Sequence, residues 1–257
     1  MTRPDPSRSR RPVSGGSVDA RAYYDEFSHA YEARRRPNDP GGYHALVDDL
    51  EIEVVERYAR GKDVLECGCG TGLLLERIAG FARHASGIDL SPGMLRKARD
   101  RGLDVREASV TDIPFPDASF DVTCSFKVLA HVEDIRGALA EMARVTRPGG
   151  VILAELYNPI SFRGLVKRLG PAGHVSDKTR ESAMYTRFDP PWAAAGLLPA
   201  GVHVESRWGV RIVTPAAVLM RVPGLRALLP RVERRLAPTP AAFFAGFHVV
   251  VARKLKE

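Results

Sequence analysis

The stretch DVLECGCGTG, residues 63–72, decides the fold of this chain. A short apolar run ends in the acid Glu66, a glycine-rich turn follows, and an apolar helical stretch begins at Leu73. A strand, a glycine turn and a helix in this order allow the backbone to approach a ligand closely. The sequence therefore predicts an α/β sheet with a ligand site at this turn, which carries Gly68, Gly70 and Gly72.

A second acid, Asp89, follows Glu66 by 23 residues and lies at the end of another short apolar run. In nucleotide-binding folds, an acid at about this distance accepts hydrogen bonds from the ribose hydroxyls. We therefore expect the ligand to contain a nucleoside.

The acid that ends the first strand distinguishes between nucleoside ligands. The dinucleotide fingerprint leaves its helix N-terminus open for a pyrophosphate, whereas the carboxylate of Glu66 repels phosphate and suits an ammonium group. This pattern favours S-adenosylmethionine, which has an α-amino group, a sulfonium and no phosphate. A dinucleotide-binding dehydrogenase is the structural alternative.

Three further segments extend the pattern: IPFPDASFDV at 113–122, VLAHVED at 128–134 and RPGG at 147–150. With these motifs in this order, roughly residues 20–156 resemble the class I S-adenosylmethionine-dependent methyltransferases. The resemblance is strongest to the small-molecule branch that includes ubiquinone- and menaquinone-type methyltransferases. It implies a Rossmann-like α/β fold, with a seven-stranded, mostly parallel sheet, an antiparallel last strand and helical cap insertions.

The resemblance also implies a cofactor site for S-adenosylmethionine. Glu66 stands where an Asp is usual, and the glycine turn with Cys69 is expected at the methionine end of the cofactor. Asp89 is expected to hold the ribose, and Ser109 stands where an Asp usually accepts from the adenine amino group, with Asp112 as a substitute. The remaining expected contacts are Tyr31 from a covering helix, Leu90, Met94 and Val110 around adenine, and Phe126 and Lys127 beside the methionine tail.

Methyl transfer requires a base only when the acceptor starts protonated. His131 is the main candidate because it follows the fourth strand near the cofactor, and Tyr157 and His174 are weaker candidates. Cys67 and Cys69 have no second Cys or His pair at ligand spacing, so we predict small residues in a tight loop and no metal site.

The predicted domain covers residues 18–257, after a polar, disordered tail at 1–17. N-terminal helices occupy 18–60, and strands are expected near 63–67, 84–89, 103–107, 120–125, 150–156, 202–211 and 243–253. Helices are expected near 71–80, 92–101, 134–146 and 189–196. Two insertions, 157–188 and 212–242, are rich in arginine and are interpreted as a cap over the acceptor.

The composition is that of a globular protein, with 44% hydrophobic and 27% charged residues and a net charge of +7. Three cysteines without a disulfide framework and no apolar run of membrane-spanning length favour the cytoplasm. The basic insertions favour a small-molecule acceptor that is anionic or lipid-like, and they allow peripheral membrane contact.

Two alternatives remain open at this point. A nucleic-acid methyltransferase would use the positive charge, but the sequence contains no recognisable RNA-binding module, so no nucleic acid is expected. The tetrapeptide DPPW, which amino-methyltransferases of nucleic acids carry directly after the fourth strand, stands at 189–192 instead. A binding protein that retains S-adenosylmethionine without turnover is the other alternative.

Overall fold

The computed structural model of the protein describes residues 20–35, 39, 41–161, 185–214 and 216–256. The predicted tail at 1–17, most of the predicted insertion at 157–188 and the candidate base His174 lie outside the described residues.

The described residues form one seven-stranded sheet in the order β3-β2-β1-β4-β5-β7-β6. Only β7 runs antiparallel to its neighbours, β5 and β6, and the other pairs are parallel. This arrangement confirms the predicted fold class. The strands are β1 (Asp63–Cys67), β2 (His84–Asp89), β3 (Asp104–Glu107), β4 (Phe120–Ser125), β5 (Thr146–Tyr157), β6 (Val202–Val210) and β7 (Phe247–Lys254).

Helices cover both faces of the sheet, which explains why the central strands are apolar along most of their length. On one face α2 packs through Val54 and Val55 against β1 and β4, and on the other α5 packs through Leu139 and Met142. The helices are α1 (Ala20–Arg35), α2 (Tyr43–Ala59), α3 (Leu73–Ala79), α4 (Pro92–Asp100), α5 (Ile135–Val145) and α6 (Pro223–Leu236).

Side-chain caps fix where two of these helices begin. The Ser91 hydroxyl accepts a hydrogen bond from the Met94 N–H at 3.1 Å, and Pro92 occupies the first helical position. The Asp134 carboxylate accepts from the Gly137 N–H at 2.9 Å at the start of α5. Each cap satisfies one backbone donor that a helix N-terminus leaves without a partner.

One predicted helix has a different form in the structure. The helix expected near 189–196 is a 3-10 helix, Pro191–Leu197, which begins with a proline. Between β6 and β7 the chain forms a 3-10 turn (Ala217–Arg221), α6 and another 3-10 turn (Pro240–Phe244). Within the described part of the chain, no helix has both the length and the apolar character needed to cross a bilayer.

Candidate active site

A cavity of about 1120 Å³ opens at the carboxyl ends of the central strands. It lies where β1 has β2 on one side and β4 on the other, so that the strand order reverses, and ligands of open α/β sheets bind at this position. All but one of the residues predicted to bind the cofactor line it: Tyr31, Glu66, Gly68, Cys69, Gly70, Asp89, Leu90, Met94, Ser109, Val110, Phe126 and Lys127. His131 lines the same cavity.

The glycine turn begins with a close approach that only glycine tolerates. Gly68 has φ +79°, and a Cβ at this position would lie 2.2 Å from Cγ2 of Val128. The N–H groups of Gly68 and Cys69 both donate to the carbonyl of Ile88, at 2.7 and 2.9 Å, which holds the turn against β2. Gly70 also has a positive φ, but a Cβ there would meet no atom within 4 Å. The turn therefore leaves space on its cavity side at Gly70.

Gly72 is the predicted site residue that does not line the cavity. It is the N-cap of α3 with φ +83°, and a Cβ would lie 2.4 Å from Cδ1 of Leu103 and 3.2 Å from Cβ of Ala98. Its conformation thus serves the packing of the start of α3 against Leu103 and Ala98, and its expected contact with the cofactor finds no support in the lining of the cavity.

The Asp89 carboxylate is held by backbone donors on both oxygens. Oδ2 accepts from the Gly70 N–H and Oδ1 from the Ser91 N–H, each at 2.9 Å. Burial raises the pKa of Asp89, and these hydrogen bonds oppose that rise. Since each carboxylate oxygen accepts more than one hydrogen bond, Asp89 retains the capacity to bind two further hydroxyls on the cavity side.

Glu66 presents a buried carboxyl with one oxygen that has no hydrogen-bond partner in the described structure. Burial raises the pKa of this carboxyl well above its ordinary value, and the attraction of Lys127 offsets only part of the rise. A buried acceptor without a donor is energetically unfavourable. A cationic ligand at this edge of the cavity would supply the missing donor and the missing charge, so Glu66 fits the ammonium group of S-adenosylmethionine.

At the expected adenine side, Ser109 takes part in a local turn. Its hydroxyl accepts from the Thr111 N–H at 3.1 Å and lies 2.7 Å from the Thr111 hydroxyl. The alternative residue, Asp112, forms an isolated backbone bridge with Ser109 but does not line the cavity. Of the two candidates, only Ser109 therefore borders the space where adenine is expected.

Lys127 has a role that the sequence did not reveal. Its backbone adopts φ +60°, and its backbone N–H donates to the carboxylate of Glu155. Its side-chain Nζ lies 3.1 Å from Oδ1 of Asp48 and 2.6 Å from Oε2 of Glu51. Although burial opposes them, Glu51 and Asp48 raise the pKa of Lys127. The ammonium group is thus engaged by two acids of α2, next to the cavity.

Two sequence signals point to this cluster, both of them acids at core positions. Glu51 shares the inward helical phase of Val47, Leu50, Val54 and Val55, so the period of α2 places an acid in the core. The position of Glu155 among the buried residues of β5 is a signal of the same kind.

The N-terminal helices meet the cavity through Tyr24, Tyr31, Arg35 and His44. Arg35 forms an ion pair with Asp48, and its Nη1 donates to the Tyr31 hydroxyl at 3.0 Å. Burial lowers the pKa of His44, and Arg35 adds to that effect. Tyr31 is therefore tied, through Arg35 and Asp48, to the same cluster that holds Lys127.

The opposite wall of the cavity is aromatic. The ring of Tyr157 lies 4.8 Å from that of Phe247, 6.1 Å from that of Phe188 and 5.8 Å from that of His131, between centroids. Nδ1 of His131 lies 3.0 Å from the carbonyl oxygen of Tyr185. Because a carbonyl oxygen only accepts, Nδ1 is the donor in this contact, and the Thr186 hydroxyl lies 3.3 Å from the same nitrogen.

A second cation, Arg211, extends this wall. It is buried, has φ +65°, and its guanidinium carbon lies 5.0 Å from the ring centre of Tyr43 and 4.8 Å from that of Phe247. Of the three non-glycine residues with positive φ in the described chain, Lys127 and Arg211 line the cavity. Such backbone strain concentrates at functional sites.

The DPPW tetrapeptide adjoins the aromatic wall, since the Asp189 N–H donates to the Tyr157 carbonyl at 2.9 Å, but it does not border the cavity. Asp189 pairs with Arg187 and accepts a hydrogen bond from His248 through its carbonyl, and the following residues open the 3-10 helix. None of the residues 189–192 lines the cavity.

A sheet in this strand order, with a glycine turn after β1 and an acid at the end of β2, defines a Rossmann-like nucleoside-binding domain. A family model described as a methyltransferase domain matches residues 65–154. A probable S-adenosylmethionine-dependent methyltransferase of Mycolicibacterium smegmatis is 40% identical over 182 residues, which are 70% of this chain and 67% of that protein.

A ubiquinone biosynthesis O-methyltransferase of Thiobacillus denitrificans is 31% identical over 174 residues, 64% of this chain and 75% of that protein. Several other curated relatives match over less than half of their own length. A solved S-adenosylmethionine-dependent methyltransferase of Thermotoga maritima shares the fold, with a TM-score of 0.65 over 91% of this chain and 99% of that one, at 20% identity. The chain belongs to the class I S-adenosylmethionine-dependent methyltransferases, and it is an enzyme that uses S-adenosylmethionine.

Proposed function

We propose that this enzyme methylates a small molecule that contains a ring and an acidic O–H or N–H group. The observation that carries the proposal is the continuous cavity, which joins the glycine turn and Asp89 to the aromatic wall of Tyr157, Phe188 and Phe247. Aromatic walls with few polar groups are typical of sites for small organic ligands. The names of relatives that act in ubiquinone and menaquinone biosynthesis support an acceptor of this kind.

In this proposal Asp89 holds the ribose hydroxyls of the cofactor, and Glu66 holds its ammonium group. Ser109, Val110, Leu90 and Met94 border the adenine. The bound cofactor supplies an electrophilic methyl group. The residues of the chain then need to align the acceptor with it and to exclude water, which accounts for a large part of the rate in such displacements.

His131 takes the proton that the acceptor loses. Its Nδ1–H is held by the Tyr185 carbonyl, so the lone pair on Nε2 is available as the base. The T-shaped contact with Tyr157, at 84° between the rings, further fixes the orientation of the imidazole. General-base histidines use this arrangement, in which one ring nitrogen, here Nδ1, donates to a fixed acceptor and the other, Nε2, accepts the proton.

Arg211 gives the acceptor side its positive charge. The guanidinium of Arg211 lines the cavity and stacks between the rings of Tyr43 and Phe247. A stacked guanidinium is suited to planar carboxylates and to phosphate. We therefore propose that the acceptor carries an anionic group in addition to its ring.

The test is a transfer assay with methyl-labelled S-adenosylmethionine. The acceptors are a panel of catechols and hydroquinones, each as the carboxylic acid and as its methyl ester, with total RNA as the competing class. We expect label in the small acceptors, with the acids preferred over the esters, and loss of that preference in Arg211→Gln. His131→Asn is expected to lower kcat by about 10²- to 10⁴-fold while the affinity for S-adenosylhomocysteine stays unchanged.

Label found only in RNA would overturn the small-molecule proposal. Tight binding of S-adenosylmethionine without transfer to any acceptor would favour a binding protein. A loss of cofactor affinity in His131→Asn that equals its loss of kcat would remove His131 from the role of base.

A further inference from the structure

The segment 217–236, formed by a 3-10 turn and α6, has an unusual charge pattern. It contains five arginines, a single acid, Glu233, and no aromatic residue. It packs on α2 and β6, and none of its residues lines the cavity. The cap interpretation therefore does not explain its arginines.

The only acid of the segment is turned away from solvent. Glu233 is fully buried and accepts from the N–H groups of Ile212 and Val213, at 2.8 and 2.9 Å. These donors belong to the chain just after β6, where no ladder partner takes them. Glu233 therefore satisfies the backbone and does not neutralise the outer surface of α6.

The arginines divide into two groups. Arg226 pairs with Asp39, and Arg234 pairs with Asp49 and Glu53, so these two tie the flanks of α6 to the loop before α2 and to α2 itself. The second group is exposed and forms no ion pair with any residue in the described ranges: Arg221, Arg231 and Arg235.

Aliphatic side chains lie among these exposed arginines. Val218 is 57% exposed, Val222 49% and Leu228 52%, while Met220 and Leu229 of the same segment pack into the core. Leu228, Arg231 and Arg235 follow helical spacing and share the outward side of α6. The exposed residues of the segment thus combine aliphatic and cationic side chains without any acid.

We propose that this surface, the arginine face (Val218, Arg221, Val222, Leu228, Arg231 and Arg235), docks on an anionic phospholipid bilayer. Aliphatic side chains on such a face enter the boundary between headgroups and acyl chains, and arginines bind the lipid phosphates. Single-stranded nucleic acid binds through stacking on aromatic side chains as well as charge, and the segment offers no aromatic side chain. The observations therefore favour lipid.

The test is co-sedimentation of the full chain with vesicles of phosphatidylglycerol and phosphatidylcholine in equal parts, compared with phosphatidylcholine alone. We expect binding to the anionic vesicles that weakens as salt is added. Each arginine near an anionic surface contributes roughly five-fold to partitioning, so Arg221→Gln/Arg231→Gln/Arg235→Gln is expected to lose binding on the order of 100-fold. Val222→Ser/Leu228→Ser is expected to weaken binding while the salt dependence persists.

The matched control is Arg96→Gln/Arg99→Gln/Arg136→Gln, which removes the same charge from three exposed arginines on α4 and α5. It is expected to retain vesicle binding. The proposal is overturned if the chain does not bind anionic vesicles or if the control variant loses as much binding as the triple variant. It is also overturned if a single-stranded oligonucleotide displaces the chain from the vesicles and the triple variant no longer binds that oligonucleotide. Methyl transfer plays no part in this readout, so the result is independent of the proposed acceptor.

Discussion

Alanine at position 68 should destabilise the protein far more than alanine at position 70, although both glycines belong to the same turn. Both have positive φ, +79° for Gly68 and +55° for Gly70. They differ in their surroundings, because a Cβ at 68 would lie 2.2 Å from Cγ2 of Val128 and a Cβ at 70 would meet nothing within 4 Å. The pair therefore separates backbone strain from steric overlap.

The expected magnitudes follow from these two terms. A left-handed conformation costs a non-glycine residue about 1–2 kcal/mol, and this term applies to both variants. An overlap that forces Val128 to move adds about 1–3 kcal/mol to Gly68→Ala alone. We expect the free energy of unfolding to fall by about 1–2 kcal/mol in Gly70→Ala and by about 2–5 kcal/mol in Gly68→Ala.

The assay is urea unfolding of the protein without cofactor, with Val128→Ala as the partner in a double-mutant cycle. Val128→Ala removes the closest atom and leaves Cβ of residue 128 at 3.0 Å, so the double variant should be less destabilised than the sum of the single variants by about 1–3 kcal/mol. Equal effects of Gly68→Ala and Gly70→Ala, or no coupling to residue 128, would refute the reasoning.

Three further predictions concern single groups. Burial raises the pKa of Glu66, so binding of S-adenosylmethionine should displace a proton from this carboxyl. The binding enthalpy measured by calorimetry at mildly acidic pH should then vary with the ionisation enthalpy of the buffer. The same buffer dependence in Glu66→Gln, or with 5′-methylthioadenosine, which lacks the ammonium group, would contradict this. Asp89→Asn should weaken S-adenosylhomocysteine binding by about 10- to 100-fold, because the amide NH₂ group would face the N–H of Gly70 or of Ser91. Unchanged affinity in a titration would exclude Asp89 from cofactor binding. Burial lowers the pKa of His248 from 6.5 to about 4. Between about pH 6.5 and 4 only the unfolded chain gains this proton, so the free energy of unfolding should fall by about 3 kcal/mol relative to His248→Gln as the pH falls to about 4. Parallel pH profiles of unfolding for the two proteins would show that another group is responsible.

The features predicted correctly are those that local sequence specifies. The starts of α4 and α5 are each set by a capping side chain, Ser91 or Asp134, which accepts a hydrogen bond from the backbone N–H three residues later. The strands β1, β2 and β4 are short apolar runs that end in turns. Twelve of the residues expected at the cofactor line one cavity, because they lie at strand ends or in adjacent segments and a parallel sheet brings its carboxyl ends together. Their contacts with the cofactor stay a prediction.

The features that were missed depend on contacts between distant segments. Gly72 matches Gly68 in sequence pattern and in φ, yet it packs on Leu103 and Ala98 and not on the cavity. The cluster around Lys127 unites acids from α2 and β5, which the sheet and its covering helix bring together. No spacing rule predicts which glycine or which cation faces the ligand.

The sequence by itself determined the fold class, the glycine turn and the acid at the end of β2, because glycine conformation, strand length and helix caps act over a few residues. Tertiary structure alone decided which charges remain available to a ligand. Lys127 is engaged by Asp48 and Glu51, whereas Glu66 keeps an oxygen without a donor. The physical reason is that the energy of a buried charge depends on desolvation and on its nearest opposite charge, and both depend on how residues far apart in sequence pack together.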